Sequence, residues 1–150
     1  MKYLIISDTH GYITDAVDAI KKHSPDYCIH LGDMAQDCED LEAMFPRQNF
    51  IFVKGNNDVW LRNNMFPDER VFNLEGKNFF LTHGHKFYVK SGLSAIKKAA
   101  ADRNADIVLY GHTHIQRLEE DGNLLIVNPG AKGKYAILTI DNDKVKAELY

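Results

Sequence analysis

Eight short runs of apolar, β-branched or aromatic residues punctuate the chain, and five of them lead into a turn that holds glycine beside aspartate, asparagine or histidine. The runs cover residues 2–6, 27–31, 50–53, 79–82, 107–110, 124–127, 135–140 and 144–149, all of strand length. Between some of them the spacing is helical. Residues 15–23 put Ala16, Ala19, Ile20 and His23 on one stripe, 92–103 do so with Leu93, Ile96, Ala99 and Ala100, and a weaker pattern over 39–45 ends before Pro46. Thr14, and Ser91 or Ser94, stand where N-caps are expected. Strand and helix alternating in this way predict parallel βαβ units and an α/β fold, while EEDGN and DNDK later in the chain predict hairpin turns and an antiparallel end. The stretch 57–75 fits neither pattern and is expected to be an irregular loop at the rim of a site.

Composition narrows the function classes. At 150 residues, 45% hydrophobic and 26% charged, the chain has the profile of one folded domain spanning 1–150. A net charge of −3 gives no electrostatic reason to expect broad binding to nucleic acid or an anionic membrane, so any phosphate affinity must be local. Cys28 and Cys38 fit no CxxC pattern and are too few for a disulfide scaffold; reduced thiols are expected. No window reaches membrane-spanning length, and a cytoplasmic location is expected.

The unusual polar residues fall at the ends of the expected strands. Asp8 and His10 follow 2–6, Asp33 follows 27–31, Asn56 follows 50–53, His83 follows 79–82, and His112 and His114 follow 107–110. In α/β sheets ligands bind at the carboxyl ends of strands, so five such ends converging would form one site. The i, i+2 spacing of Asp8 with His10 and of His112 with His114 would aim each pair to one side of an extended chain. Carboxylates, imidazoles and an amide without thiolates are the donors that suit Mn²⁺, Fe²⁺, Co²⁺, Ni²⁺ or Zn²⁺. Seven donors exceed what one such ion takes from protein and suit two, with Asp33 between them.

The blocks SDTHG, LGDM, KGNNDVW, THGH and YGHTH, in that order, resemble those of the calcineurin-like metallophosphoesterase family, especially its small bacterial and archaeal phosphodiesterases. The resemblance runs from residue 2 to about 140 and includes NPGAKG at 128–133. It implies a sandwich of two mixed sheets flanked by helices, in α/β/β/α layers. It also implies two divalent ions, Mn²⁺ first among them, with Asp8, His10, Asp33 and His114 on one and Asp33, Asn56, His83 and His112 on the other. Two such ions can share a water, lower its pKa and aim the resulting hydroxide at phosphorus, giving a phosphodiesterase with a small phosphoester substrate. Asp33, Asn56, Asn57 and His85 are then the candidate catalytic residues. Two alternatives stand beside this reading: a monoesterase acting on a small metabolite, and a non-catalytic protein-binding scaffold. Assembly into a homo-oligomer is left open.

Some positions carry a plain reading next to a functional one. Asn57 stands where the phosphoprotein phosphatase branch has a histidine; an amide can donate to phosphate but cannot deliver a proton, which favours diesters. His85, at i+2 from His83, is either a substrate or proton-transfer group or a turn-stabilising imidazole. His30 is expected as a hydrogen-bonded core histidine or a group that orients a ligand, and Asp58 as a carboxylate orienting His10 or Asn57. Arg62 is a candidate phosphate contact, and Trp60, Met65 and Phe66 either grip a leaving group or fix their loop to the core.

Overall fold

The computed structural model describes residues 1–58 and 66–150. The element order is β1 (Lys2–Ile6), α1 (Thr14–His23), β2 (Tyr27–His30), α2 (Ala35–Met44), β3 (Asn49–Phe52), β4 (Glu69–Leu74), β5 (Lys77–Thr82), a 3-10 turn (His85–Phe87), α3 (Ser94–Asp102), β6 (Ile107–Leu109), β7 (Arg117–Asp121), β8 (Leu124–Asn128), β9 (Ala136–Asp141) and β10 (Lys144–Leu149). The strands form two five-stranded mixed sheets, ordered β10-β9-β1-β2-β3 and β4-β5-β6-β8-β7. Parallel pairing occupies the middle of each: β1 with β2 and β2 with β3 in the first, β5 with β6 and β6 with β8 in the second.

The two-residue period of the strands explains the layering. Tyr3, Ile5, Ile29, Phe79, Leu81, Ile107, Leu109 and Leu138 face inward and pack sheet against sheet. Their neighbours in sequence face out: Leu4, Ile6 and Cys28 meet the buried face of α1, and Phe80, Val108 and Ile126 meet Ile96, Ala99 and Ala100 of α3. The strands are therefore apolar on both faces, which is why they read as unbroken hydrophobic runs. This is the expected α/β/β/α arrangement.

Several local expectations need correction. Strands β4 and β7 were not expected, and β4 lies inside the stretch read as an irregular loop. Both are edge strands of the second sheet, and both carry the charges that keep an exposed edge from pairing further: Glu69 and Arg70 in β4; Arg117, Glu119, Glu120 and Asp121 in β7. Neither α1 nor α3 has a side-chain N-cap; Ile13 and Leu93 hold those positions, and burial of one helix face supplies the stability instead. His23 is half-buried and bonds the Tyr135 hydroxyl at 3.1 Å. Phe66 is a core residue, edge-on to Phe52 and beside Cys38, so it is not free to grip a substrate. Trp60, Arg62 and Met65 lie outside the described residues. Cys28 and Cys38 are free and buried, and burial pushes both thiols well above their ordinary range.

Candidate metal centre

The carboxyl ends of β1, β2, β3, β5 and β6 meet along one side of the sandwich, and hydrogen bonds between loops lock them together. The Asp8 amide donates to the Gly32 carbonyl at 3.0 Å, joining the first two ends. Gly111 donates to the His83 carbonyl at 3.1 Å, joining the β5 and β6 ends. Two bonds cross between the sheets: His83 Nδ1 to the Leu31 carbonyl at 2.7 Å, and the His112 amide to Asp8 Oδ2 at 3.0 Å.

The chain does not run extended at these points, contrary to the i, i+2 expectation. Asp8 (φ 52°), His10 (47°), Asp33 (60°), His112 (66°) and His114 (62°) are all left-handed. Such a residue costs roughly 1–3 kcal/mol when it is not glycine, and five of them at one site mark a place where the fold imposes side-chain direction against local preference. The turns also approach unusually closely. A Cβ on Gly55 would run into Asp33 Oδ1 and the Asp33 backbone nitrogen, while one on Gly111 would overlap Ser7 Oγ and lie 2.8 Å from Asp8 Oδ2. Glycine is required at both because the carboxylates press against bare backbone.

Asp8 and Asp33 are buried, at 0% and 2% exposure, and have no lysine or arginine partner among the described residues. Around them gather imidazole nitrogens. His114 Nε2 lies 3.1 Å from Asp8 Oδ1, and His83 Nε2 lies 3.5 Å from Asp33 Oδ1, 3.8 Å from Asp8 Oδ1 and 3.1 Å from Asn56 Oδ1. His10 Nε2 is buried without any hydrogen-bond partner. Two sets of donor atoms can each embrace a cation: Asp8, His10 and His114, and Asp8, Asp33 and His83. His112 stacks edge-on to His83, with ring centres 5.1 Å apart.

The tautomer of His83 decides what this geometry is for. Its Nδ1 carries the proton donated to Leu31, so in the neutral ring Nε2 is a bare lone pair facing three oxygen acceptors. Together with the partnerless His10 nitrogen and the two uncompensated carboxylates, that arrangement fits divalent cations and is costly without them. Burial, aided by His83 and Lys90, pushes His112 down to about 4, and burial with His83 and Lys86 also lowers His85, so burial favours the neutral ring at both positions.

A ring of supporting groups fixes the donors. Asn57 gives Asp33 both its backbone N–H (2.9 Å to Oδ1) and its side-chain amide (2.8 Å to Oδ2), so it braces this carboxylate. Asp58 makes no hydrogen bond to His10 or to the Asn57 side chain among the described residues. It collects four backbone N–H groups instead, from Asp33, Met34, Ala35 and Gly55, and so ties the β2 and β3 turns together. His30 accepts from the Gly32 amide on Nδ1, which leaves Nε2 to donate to Thr9 Oγ1 at 3.0 Å; the Thr9 hydroxyl donates onward to Asp37 Oδ2, which also receives the Gly11 amide at 2.8 Å. His85 sits in the 3-10 turn with ring centres 5.4 Å from His83 and 6.0 Å from His112, its buried Nδ1 unpartnered.

The sequence reading missed Asp37 and Asn128 as parts of this framework. Asn128 is fully buried and donates to the Gly111 carbonyl at 2.9 Å and Thr113 Oγ1 at 3.0 Å, bracing the loop of His112 and His114. A carboxylate on the buried face of a helix, beside Cys38 and Leu41, was the available signal for Asp37.

Comparison with known proteins agrees with this geometry. The model of the calcineurin-like phosphoesterase superfamily domain matches residues 1–143. The probable metallophosphoesterase YsnB of Bacillus subtilis is 32% identical over all of this chain and 90% of its own length, and the phosphodiesterase MJ0936 of Methanocaldococcus jannaschii is 31% identical over 87% of this chain and 83% of its own. In fold, the chain superposes on Vps29 of Entamoeba histolytica, solved in complex with zinc, with a TM-score of 0.79 over 100% of this chain and 98% of that one at 19% identity. Among the described residues no helix is long and apolar enough to cross a membrane. With the family's blocks, fold and donor set all present from residue 1 to 143, the chain belongs to the calcineurin-like phosphoesterase superfamily.

Proposed function

We propose that the protein is a phosphodiesterase that works with two divalent metal ions, Mn²⁺ or a close relative among Ni²⁺, Co²⁺, Fe²⁺ and Zn²⁺. Asp8, His10, Asp33 and His114 hold one ion, and Asp33, Asn56, His83 and His112 hold the other. The observation that carries the reading is the lone pair of His83 Nε2 turned toward Asp8, Asp33 and Asn56, with no cationic side chain among the described residues to reconcile them. When bound, such ions acidify a water and polarise phosphoryl oxygens.

The chain's own residues do the remainder. Two buried aspartates against two divalent ions leave a local surplus of positive charge, which attracts a phosphoester to an otherwise acidic protein. Asn57 spends one amide N–H on Asp33 and has a second for a phosphoryl oxygen. His85, beside His83, is placed to orient the phosphoryl group or, in its protonated form, to pass a proton to the departing oxygen. Neither cysteine can act as a covalent nucleophile, since both are buried and inert. The free thiols also suit a cytoplasmic enzyme.

Metal-stripped protein reloaded with Mn²⁺, Ni²⁺ or Co²⁺ should bind two ions per chain and hydrolyse bis-p-nitrophenyl phosphate faster than the mono ester. Faster monoester turnover would favour the metabolite phosphatase. Two bound ions without turnover of any phosphoester would favour the scaffold reading, which the fold likeness to Vps29 keeps in view.

A further inference from the structure

A cleft of about 620 Å³ opens beside the loop that carries His112 and His114, a volume in the range of small-molecule sites. One wall is the segment after the 3-10 turn, residues 89–92, and the other runs from Tyr110 along the loop to Arg117. Thr113 joins cleft and metal centre: it lines the former, stands between the two histidines of the latter, and is fixed by the Asn128 amide at 3.0 Å.

The cleft's chemistry is mixed. Tyr110 and Ile115 give it an apolar side, and Ile115 is 71% exposed, a large aliphatic side chain with little to cover it. Ser91 and Gln116 add hydrogen-bonding groups on the rim. Of the two cations present, Arg117 is tied to Glu119 through Nε at 2.8 Å and Nη2 at 2.5 Å, whereas Lys90 has no carboxylate partner among the described residues. Lys90 is exposed and lines the cleft beside Val89 and Ser91. An alkyl chain would leave these polar groups unpaired, and an inorganic anion would leave the apolar side bare. A flat ring system with heteroatoms at its edges satisfies both.

We propose that this cleft is the specificity subsite for the organic group of the substrate, a heteroaromatic ester group of nucleoside size, with Ile115 packing on its face and Lys90 donating to an acceptor oxygen on it. The proposal rests on the phosphodiesterase reading above. Lys90 and Ile115 are specificity-determining residues that touch the substrate away from the reacting phosphorus.

The test compares two diesters with the same leaving group on the Mn²⁺-loaded protein: thymidine 5′-(p-nitrophenyl phosphate) and methyl p-nitrophenyl phosphate. Lys90→Met and Ile115→Ala should each raise KM for the thymidine ester about tenfold with kcat nearly unchanged, and leave the methyl ester unaffected. Lys90→Arg should restore most of the loss. An equal effect on both substrates, or no effect on either, overturns the assignment. Titration with thymidine 5′-monophosphate gives a readout free of turnover: binding about tenfold weaker in both variants supports the subsite, and unchanged binding overturns it. The Mn²⁺ content of each protein, measured separately, bears on the metal centre alone. A protein that takes up no Mn²⁺ yet binds the nucleotide in a Lys90-dependent way would sink the metal reading and leave the subsite standing.

Discussion

His83 Nε2 faces Asn56 Oδ1 across 3.1 Å while its Nδ1 lies 2.7 Å from the Leu31 carbonyl, so a neutral ring that donates to Leu31 turns a bare lone pair on the amide oxygen. A lone pair set against an oxygen, next to two buried carboxylates, makes the metal-free site a standing electrostatic cost that a cation removes. Mn²⁺ at a hundredfold excess over its Kd should therefore stabilise the fold by about 2.7 kcal/mol for each ion bound. In a chain of 150 residues that is a rise in Tm of roughly 5–10 °C, reversed by chelator and measured by thermal unfolding. Asp33→Ala should fold and lose both the shift and the activity; a full Mn²⁺ shift in that variant would remove Asp33 from its place between the ions.

Asp58 acts on Asp33 without touching its side chain. Its carboxylate takes the N–H groups of Asp33, Met34 and Ala35 at 2.8–2.9 Å, so it also caps the start of α2 from a distance of 23–25 residues in sequence, and it pins Gly55 on the far turn. Asp58→Asn replaces an acceptor with a donor against four donors. The expected loss is about 3 kcal/mol or more, as for other broken buried networks, and Mn²⁺ affinity should fall roughly 10- to 100-fold because Asp33 is released. Denaturant unfolding and metal titration separate the two effects. Native Mn²⁺ affinity in a destabilised variant would show Asp58 to be a structural cap alone.

These two relationships also show where sequence reasoning succeeds and fails. The inner strands were legible because burial on both faces writes itself as continuous apolar runs, and the donors were legible because they stand just past the ends of those runs. The left-handed turns at Asp8, His10, Asp33, His112 and His114 were not, since aspartate and histidine tolerate a positive φ better than most residues yet adopt it in only a minority of positions. The first turn of α2 was missed for a related reason: Met34 offers no cap, and the capping carboxylate comes from Asp58 in a different loop. Edge strands β4 and β7 were hidden by the charges that protect them.

Gly111 brings the bare backbone of the loop after β6 against the side chains of Ser7 and Asp8 after β1. Gly111→Ala would drive a methyl group into Ser7 Oγ and Asp8 Oδ2, and Asp8 has nowhere to retreat because the Ser7 hydroxyl and the His112 amide hold its Oδ2. A cost of about 1–3 kcal/mol is expected from overpacking, with a clear loss of Mn²⁺ affinity as Asp8 is displaced. Gly122→Ala is the control: it sits in the β7–β8 turn with φ 59° and open space around it, so it should cost stability through backbone strain alone and leave metal binding intact. Equal metal affinity in the two variants would mean that Asp8 tolerates the displacement.

The buried chain from His30 through Thr9 to Asp37 predicts how the fold responds to acid. Burial, opposed in part by Asp58, Asp8 and Asp37, brings the His30 imidazole down to about 4 from its ordinary 6.5. The fold therefore prefers the neutral ring, whose bare Nδ1 accepts from Gly32 while Nε2 donates to Thr9. As pH falls, the unfolded chain takes up this proton first. The contribution of His30 is thus fully present above pH 6.5, declines between 6.5 and 4, and is gone below about 4. Its slope approaches about 1.4 kcal/mol per pH unit, for a total on the order of 3 kcal/mol. His30→Gln keeps an amide donor and cannot titrate, so in chelator-treated protein its stability should change less steeply than wild type across that window, whatever its starting value. Denaturant midpoints measured at half-unit steps from pH 7 to 4 give the comparison, and parallel profiles for the two proteins would mean that His30 does not carry the acid sensitivity.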